Sequence, residues 1–265
     1  MLTSKAKLLF QKKVLNWYKK NKRDLPWRKT RNPYTVLVSE IMLQQTQVDR
    51  VIGYYLKFID RFPDTLTLSR ARKRTLLSYW SGLGYNNRAL NLQKLAQIVC
   101  KENNGIIPRN EQSLLKLPGI GPYTAHAVLA FAFNKPVPVL DTNIRRVLIY
   151  EFSLDEKTPL EELKALALDC IPEKKSRIWH NALMDYGSMV VTARKTGIAP
   201  LSKQGTFEGS DRWVRGNLVK LLLKSKRISV NSLTTQFDEN QLRHVINKML
   251  KEKLFILKNE YLSLS

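Results

Sequence analysis

Two carboxyl groups stand out because of their neighbours. In VSEIMLQQTQV, Glu40 sits among Val36, Val38, Ile41, Met42 and Leu43, which cannot all face water. A carboxyl partly buried there has a raised pKa and suits a general acid; a surface glutamate is the plainer alternative. In VPVLDTNIRR, Asp141 follows an apolar extended segment and opens a helical pattern. It is either a simple helix cap or a carboxylate held ionised by helix N–H groups and aimed into a cleft. Two carboxyls in unlike surroundings are the general arrangement for cleaving a bond to a sugar. A third stretch, LPGIGPYTAHAV from Leu117 to Val128, places Gly119 and Gly121 just before a helical pattern. A Gly-x-Gly turn lets backbone N–H groups approach a phosphate with no Cβ in the way. A tight helix–helix turn without a ligand fits the same pattern.

Helices must position these residues. AKLLFQKKVLNWYKK repeats apolar residues at three and four, and LPWRKTRNP is a loop bracketed by Pro26 and Pro33. The run from Tyr34 to Phe62 reads as helical up to Pro63. RTLLSYWSGL, NRALNLQKLAQIVCKENNG, NEQSLLKL, YTAHAVLAFAF, DTNIRRVLIYEF, PLEELKALALDCI and SRIWHNALMDYGSMVVTARK continue the pattern, while the prolines of KPVPVL keep that segment extended. No strand pattern precedes residue 200, so the fold class is all-α, with a helical domain over 1–195. Residues 196–211 are rich in Gly, Ser and Thr and read as a boundary loop. Over 212–265, RWVRGNLVKLLLKSK, SVNSLTTQF and NQLRHVINKMLKEK read as three helices, and LFILKNEYLSLS as a hairpin about its KNE turn. That is a winged-helix-like pattern. Its third helix carries Arg243, His244, Lys248 and Lys251, suited to phosphate or groove contacts; a module used only for packing is the alternative.

The 45 Lys+Arg against 22 Asp+Glu give a net charge of +23, which favours a nucleic-acid partner over a merely solvated surface. The longest apolar run, Ala127 to Phe133, is far short of a membrane span. The first residues lack the apolar core and cleavage site of a signal peptide, so the expected location is the cytoplasm or nucleoid, with no membrane. Cys100 and Cys170 have no metal-ligand spacing and read as buried thiols. His126, His180 and His244 are scattered, and no metal site is expected.

LPGIGPYTAHAV resembles the helix-hairpin-helix of the DNA glycosylase superfamily, and VPVLDTNIRRV resembles its Gly/Pro-rich segment ending in an aspartate. LPWR, NPYTVLVSEIMLQQTQV and WSGLGYNNRALNL are similar to the MutY-type adenine DNA glycosylases, over about Trp17 to Thr192. The resemblance implies a two-lobed glycosylase fold and a monofunctional enzyme that removes adenine opposite 8-oxoguanine or guanine. Its partner would be duplex DNA with a mispaired or damaged base, and its state a monomer. Gly119 and Gly121 would grip a DNA phosphate. Gln45 and Tyr85 match wedge positions that fill the hole left by a flipped nucleotide. Trp27 and Arg28 match residues lining the adenine pocket. Glu40 would protonate the purine at N7. Asp141 would stabilise the oxocarbenium-like sugar, with a covalent adduct as one route, and Asn143 would orient it. Tyr123 stands where lyase-competent relatives carry a lysine. A phenol forms no Schiff base, so little strand cleavage is expected. Tyrosine is also found there in a branch acting on thymine opposite guanine. Excision of T opposite G or of hypoxanthine, and a silent DNA-binding protein, are therefore the competing readings.

Three departures accompany the resemblance. The register of four cluster cysteines, C-x6-C-x2-C-x5-C, reads Val191, Ile198, Leu201 and Phe207, so an iron–sulfur cluster is expected to be absent and an apolar staple to stand in its place. The winged-helix-like tail stands where relatives carry a Nudix-like domain that senses 8-oxoguanine. Asn181 stands where relatives have Gln or Glu near the adenine.

Overall fold

The computed structural model describes residues 3–200 and 205–265. In chain order its helices are α1 (Ser4–Asn21), α2 (Pro33–Leu43), α3 (Val48–Arg61), α4 (Thr65–Ser69), α5 (Lys73–Trp80), α6 (Asn87–Glu102), α7 (Glu111–Leu115), α8 (Pro122–Phe133), α9 (Thr142–Glu151), α10 (Leu160–Asp169), α11 (Ser176–Met189), α12 (Ala193–Thr196), α13 (Asp211–Lys224) and α14 (Glu239–Lys251). A 3-10 turn spans Pro26–Arg28, and the strands are β1 (Ile228–Ser229), β2 (Phe255–Lys258) and β3 (Tyr261–Leu264). The fold is all-α up to the small sheet. Two compact units form, one from Met1–Ile41 with Ile107–Lys203, the other from Met42–Ile106 with Gln204–Ser265. No helix among the described residues is long and apolar enough to cross a membrane.

The first unit packs α1, α9, α10 and α11 around one core. Phe10 and Val14 of α1 meet Val147 and Leu148 of α9, Leu163 of α10 and Trp179 and Leu183 of α11. Phe10 sits edge-on to Phe152 at 4.9 Å and to Trp179 at 5.3 Å, so truncating it to alanine would cost about 3–5 kcal/mol. The segment leading to Asp141 is extended because Pro136 and Pro138 cannot donate hydrogen bonds. The Val139 N–H goes to Nε2 of buried His180, whose Nδ1 faces the Ser176 carbonyl. Burial pushes His180 down to about 4, so its ring is neutral and can accept. His126 of α8 lies between the Pro138 carbonyl and Glu111 of α7, tying the helix-hairpin-helix to the same segment.

In the second unit Phe58, Phe62 and Trp80 pack ring to ring. A further core joins Leu77 of α5 to Leu218 and Leu222 of α13, Val245 and Met249 of α14, Phe255 and Leu262. The sheet has the order β1-β3-β2 and is antiparallel, with Ile228 opposite Leu262 and Leu257 opposite Leu262 on the other side. The expected hairpin is present, turning through Asn259 and Glu260 in left-handed backbone, as a two-residue loop between twisted strands requires.

Two sequence expectations are corrected. The helical run from Tyr34 to Phe62 is two helices, broken at Gln44–Gln47, where Gln45 has φ 57°. SVNSLTTQF is a series of turns rather than a helix. Its Ser232, Thr234 and Thr235 hydroxyls donate to the carbonyls of Ser229, Asn231 and Ser232, competing with helical bonding.

Candidate functional site

Glu40 lies in α2, a helix buried from Tyr34 to Met42. Only 6% of its surface is exposed. Burial, reinforced by the charge of Asp141 and opposed by a hydrogen bond from Tyr123 and the charge of Arg28, pushes its carboxyl up to about 8. The Tyr123 hydroxyl approaches Glu40 Oε2 at 3.5 Å. Tyr123 is the second residue of α8, placed by the hairpin that precedes it. Burial, with Glu40 and Asp141 nearby, raises its phenol well above the ordinary value, so it stays neutral.

Asp141 is the N-cap of α9. Its Oδ1 accepts from the Ile144 N–H at 2.7 Å and its Oδ2 from Asn143 Nδ2 at 3.1 Å. Burial raises its pKa, against the lowering effect of the Ile144 and Asn143 donors and of Arg146. The carboxylate is thereby kept short of water yet stabilised by fixed donors, the setting in which a developing positive charge is most strongly felt. Asn143 is itself held: its Oδ1 accepts from Arg146 Nη1 at 3.2 Å, and Arg146 also reaches the Gly187 and Val191 carbonyls. A Cβ on Gly187 would stand 2.9 Å from both Cβ and O of Asn143, so α11 approaches α9 only because residue 187 is glycine.

Trp27 is buried in the 3-10 turn beside Arg28. Arg28 makes a two-pronged pair with fully buried Asp185, at 2.7 and 2.9 Å, and Arg23 joins at 2.6 Å. Burial works to raise Asp185, but the Arg28 and Arg23 donors outweigh it and hold the carboxyl below its usual range. Asn181 of α11 donates to the Arg177 carbonyl one turn back. Gly119 takes φ 82°, a conformation costly for other residues, while Gly121 caps α8 in extended backbone without a side-chain acceptor. A Cβ at Gly121 would meet nothing within 4 Å, so nothing in the chain itself demands glycine there.

The second unit holds the remaining candidates. Gln45 and Tyr85 both adopt left-handed backbone, at φ 57° and 47°. Arg88 supports both loops: its guanidinium donates to the carbonyls of Met42, Gln44, Leu83 and Gly84. Arg243 pairs with Glu239 on its own helix at 2.8 Å, and Lys248 is exposed in the last turn of α14. Sequence reasoning missed Arg88, Arg146, His180, Asp185 and Gly187; the residue types were visible, but each has a decisive partner far along the chain.

Of the four positions in the cysteine register, Val191 and Ile198 are buried in the core of the first unit. Phe207 is 57% exposed and takes no part in such a staple, and Leu201 lies outside the described residues. Arg145 secures the same stretch through the Ala199 and Glu156 carbonyls. Among the described residues no group of His, Cys, Asp or Glu could hold a metal ion.

A buried acid, a capped aspartate and a hairpin opening α8 together define the class. Residues 38–172 match the HhH-GPD superfamily base excision DNA repair proteins. The chain is 38% identical over 233 residues to the adenine DNA glycosylase of Mycolicibacterium smegmatis, covering 80% of each. It is 43% identical over 199 residues to that of Buchnera aphidicola subsp. Baizongia pistaciae, covering 73% of this chain and 57% of the relative. The chain thus spans little more than half the length of some relatives. A thermostable thymine-DNA glycosylase structure superposes with a TM-score of 0.66 at 31% identity, covering 72% of this chain and 90% of that one. A non-covalent endonuclease III–DNA complex, at 23% identity and a TM-score of 0.64, shares the fold. The chain belongs to the HhH-GPD superfamily of base excision DNA repair proteins, and within it to the adenine DNA glycosylase family.

Proposed function

We propose that this protein is a monofunctional DNA glycosylase that excises adenine mispaired with 8-oxoguanine or guanine. The observation that carries this is the pair of unlike carboxyls: Glu40 keeps its proton up to about 8, while Asp141 faces fixed N–H donors at a helix start. Glu40 donates its proton to N7 of the flipped adenine, making the base a better leaving group. Asp141, oriented by Asn143, stabilises the positive charge that grows on the sugar as the bond breaks. Water then adds to the sugar carbon, and the proton it loses returns to the Glu40 carboxylate left by the first step. Tyr123 offers no amine, so the strand is left uncut. Trp27 and Arg28 line the base pocket with Asn181, and the fixed Arg28–Asp185 pair keeps that wall rigid. Gly121 leaves the first N–H groups of α8 open to a phosphate, and Gln45 and Tyr85 fill the gap in the duplex. Arg243 and Lys248 add contacts to the DNA backbone.

The segment from Val191 does not fit an iron–sulfur cluster, because Val191, Ile198 and Phe207 carry no atom that can ligate iron. We hold that burial of Val191 and Ile198 and the grip of Arg145 and Arg146 replace it. Purified protein should contain no stoichiometric iron and show no visible cluster absorbance; stoichiometric iron would overturn this.

Incubation with duplexes carrying A:8-oxoguanine, A:G, T:G and hypoxanthine:T, followed by alkali, tests the activity. Alkali-dependent cleavage at adenine is expected, without cleavage before alkali. The 31% identity to a thymine-DNA glycosylase supports thymine excision as the second reading, which the T:G duplex tests. Product from T:G alone would establish that reading, and no product from any duplex would overturn both.

A further inference from the structure

Two guanidinium groups lie over the Tyr85 ring. Arg88 is 5.5 Å from its centroid and Arg212 5.8 Å. Arg212 also donates to the Tyr85 hydroxyl, through Nη1 at 2.8 Å. Its Nη2 donates to the carbonyls of Gly205 and Thr206. Both terminal nitrogens are thus engaged by the chain, and the planar fork is aimed at a tyrosine rather than displayed to solvent. The helix that carries Arg212 is firmly anchored. Arg74 donates to the carbonyls of Leu223 and Ser225, Arg215 to Asn87, and Leu77 is buried among α13 side chains. Tyr85 needs such support, because its left-handed backbone is strained and its ring is half exposed.

We propose that Arg212 is a positioning residue for Tyr85, so that the C-terminal segment takes part in base flipping through one side chain. This rests on the reading of Tyr85 as the wedge. A ring already fixed in one orientation loses little freedom when it enters the duplex, which lowers the barrier to extruding the base.

The test is a double-mutant cycle in the full-length protein, read as the single-turnover excision rate on an A:G duplex. Arg212→Ala and Tyr85→Phe should each slow excision by about threefold to tenfold, and the double variant no further than the slower single. Arg212→Lys, which can donate but cannot stack, should recover part of the loss. Affinity for the duplex should change little. The loss should shrink on a duplex whose adenine faces an abasic site, because that base is already unpaired. A wild-type rate for Arg212→Ala, with Tyr85→Ala slow, overturns the positioning role and leaves the wedge standing. A wild-type rate for Tyr85→Ala shows that the wedge reading itself failed. Multiplicative losses, with weaker and less salt-dependent binding by Arg212→Ala, mark a phosphate contact instead and also overturn the proposal.

Discussion

The first unit places carboxyl groups where water is scarce; the second places Gln45 and Tyr85 where the backbone is strained. Glu40 shares the apolar interior of α2 and has one weak hydroxyl contact, so its proton is retained. Asp185, just as deeply buried in the same unit, has two arginines and is driven the other way. Burial alone therefore does not make an acid. The charge of Asp141 adds to burial at Glu40, and among the described residues no cation forms an ion pair with it, whereas Asp185 has two; the partners divide the two carboxyls. In the second unit the work falls to an arginine whose own pKa burial lowers to about 10. Arg88 gathers carbonyls from two loops and holds two non-glycine residues at positive φ, a mechanical rather than a protonic device.

Removing the protonic side should have the largest effect. Asp141→Asn is expected to slow excision by about a thousandfold or more while leaving duplex affinity intact, checked by single-turnover kinetics and equilibrium binding. Gly187→Ala comes next. The new Cβ would push on Asn143, with an expected loss of about ten- to a hundredfold in rate and about 1–3 kcal/mol in stability, read by kinetics and urea unfolding. Ile198→Ala should cost about 2–4 kcal/mol, with the per-molecule rate of the folded fraction preserved. The smallest effect sharpens the contrast most. Gln45→Gly relieves left-handed strain worth about 1 kcal/mol, yet should slow excision from duplex because the proposed wedge side chain is gone. A stable variant with an undiminished rate would remove Gln45 from the flipping apparatus.

Much of the first unit was legible in the sequence. Glu40 was marked by its apolar neighbours, Asp141 by the prolines before it and the helical pattern after it. The hairpin about Asn259 was readable because local turn chemistry decides it. Other features are set by distant partners. The break at Gln44–Gln47 falls within a continuous helical pattern, and glutamine gives no warning of left-handed backbone; Arg88 supports it from 44 positions away. His180 was read only as a scattered histidine, because its value lies in accepting the Val139 N–H across the core. SVNSLTTQF was misread because its apolar spacing suits a helix while its hydroxyls favour turns.

The pH dependence of single-turnover excision tests most directly whether Glu40 is the acid. In the folded protein Glu40 keeps its proton up to about 8, against 4.5 for an ordinary glutamic acid. Its raised value means that its contribution to stability is full below about 4.5 and is lost as pH rises through about 8. Excision should therefore fall as pH rises through about 8. Glu40→Gln should lose excision at every pH, and above that pH it should melt a few degrees higher than the wild type. A rate that stays level well above pH 8, or a Glu40→Gln variant that excises adenine at the wild-type rate, would contradict the assignment.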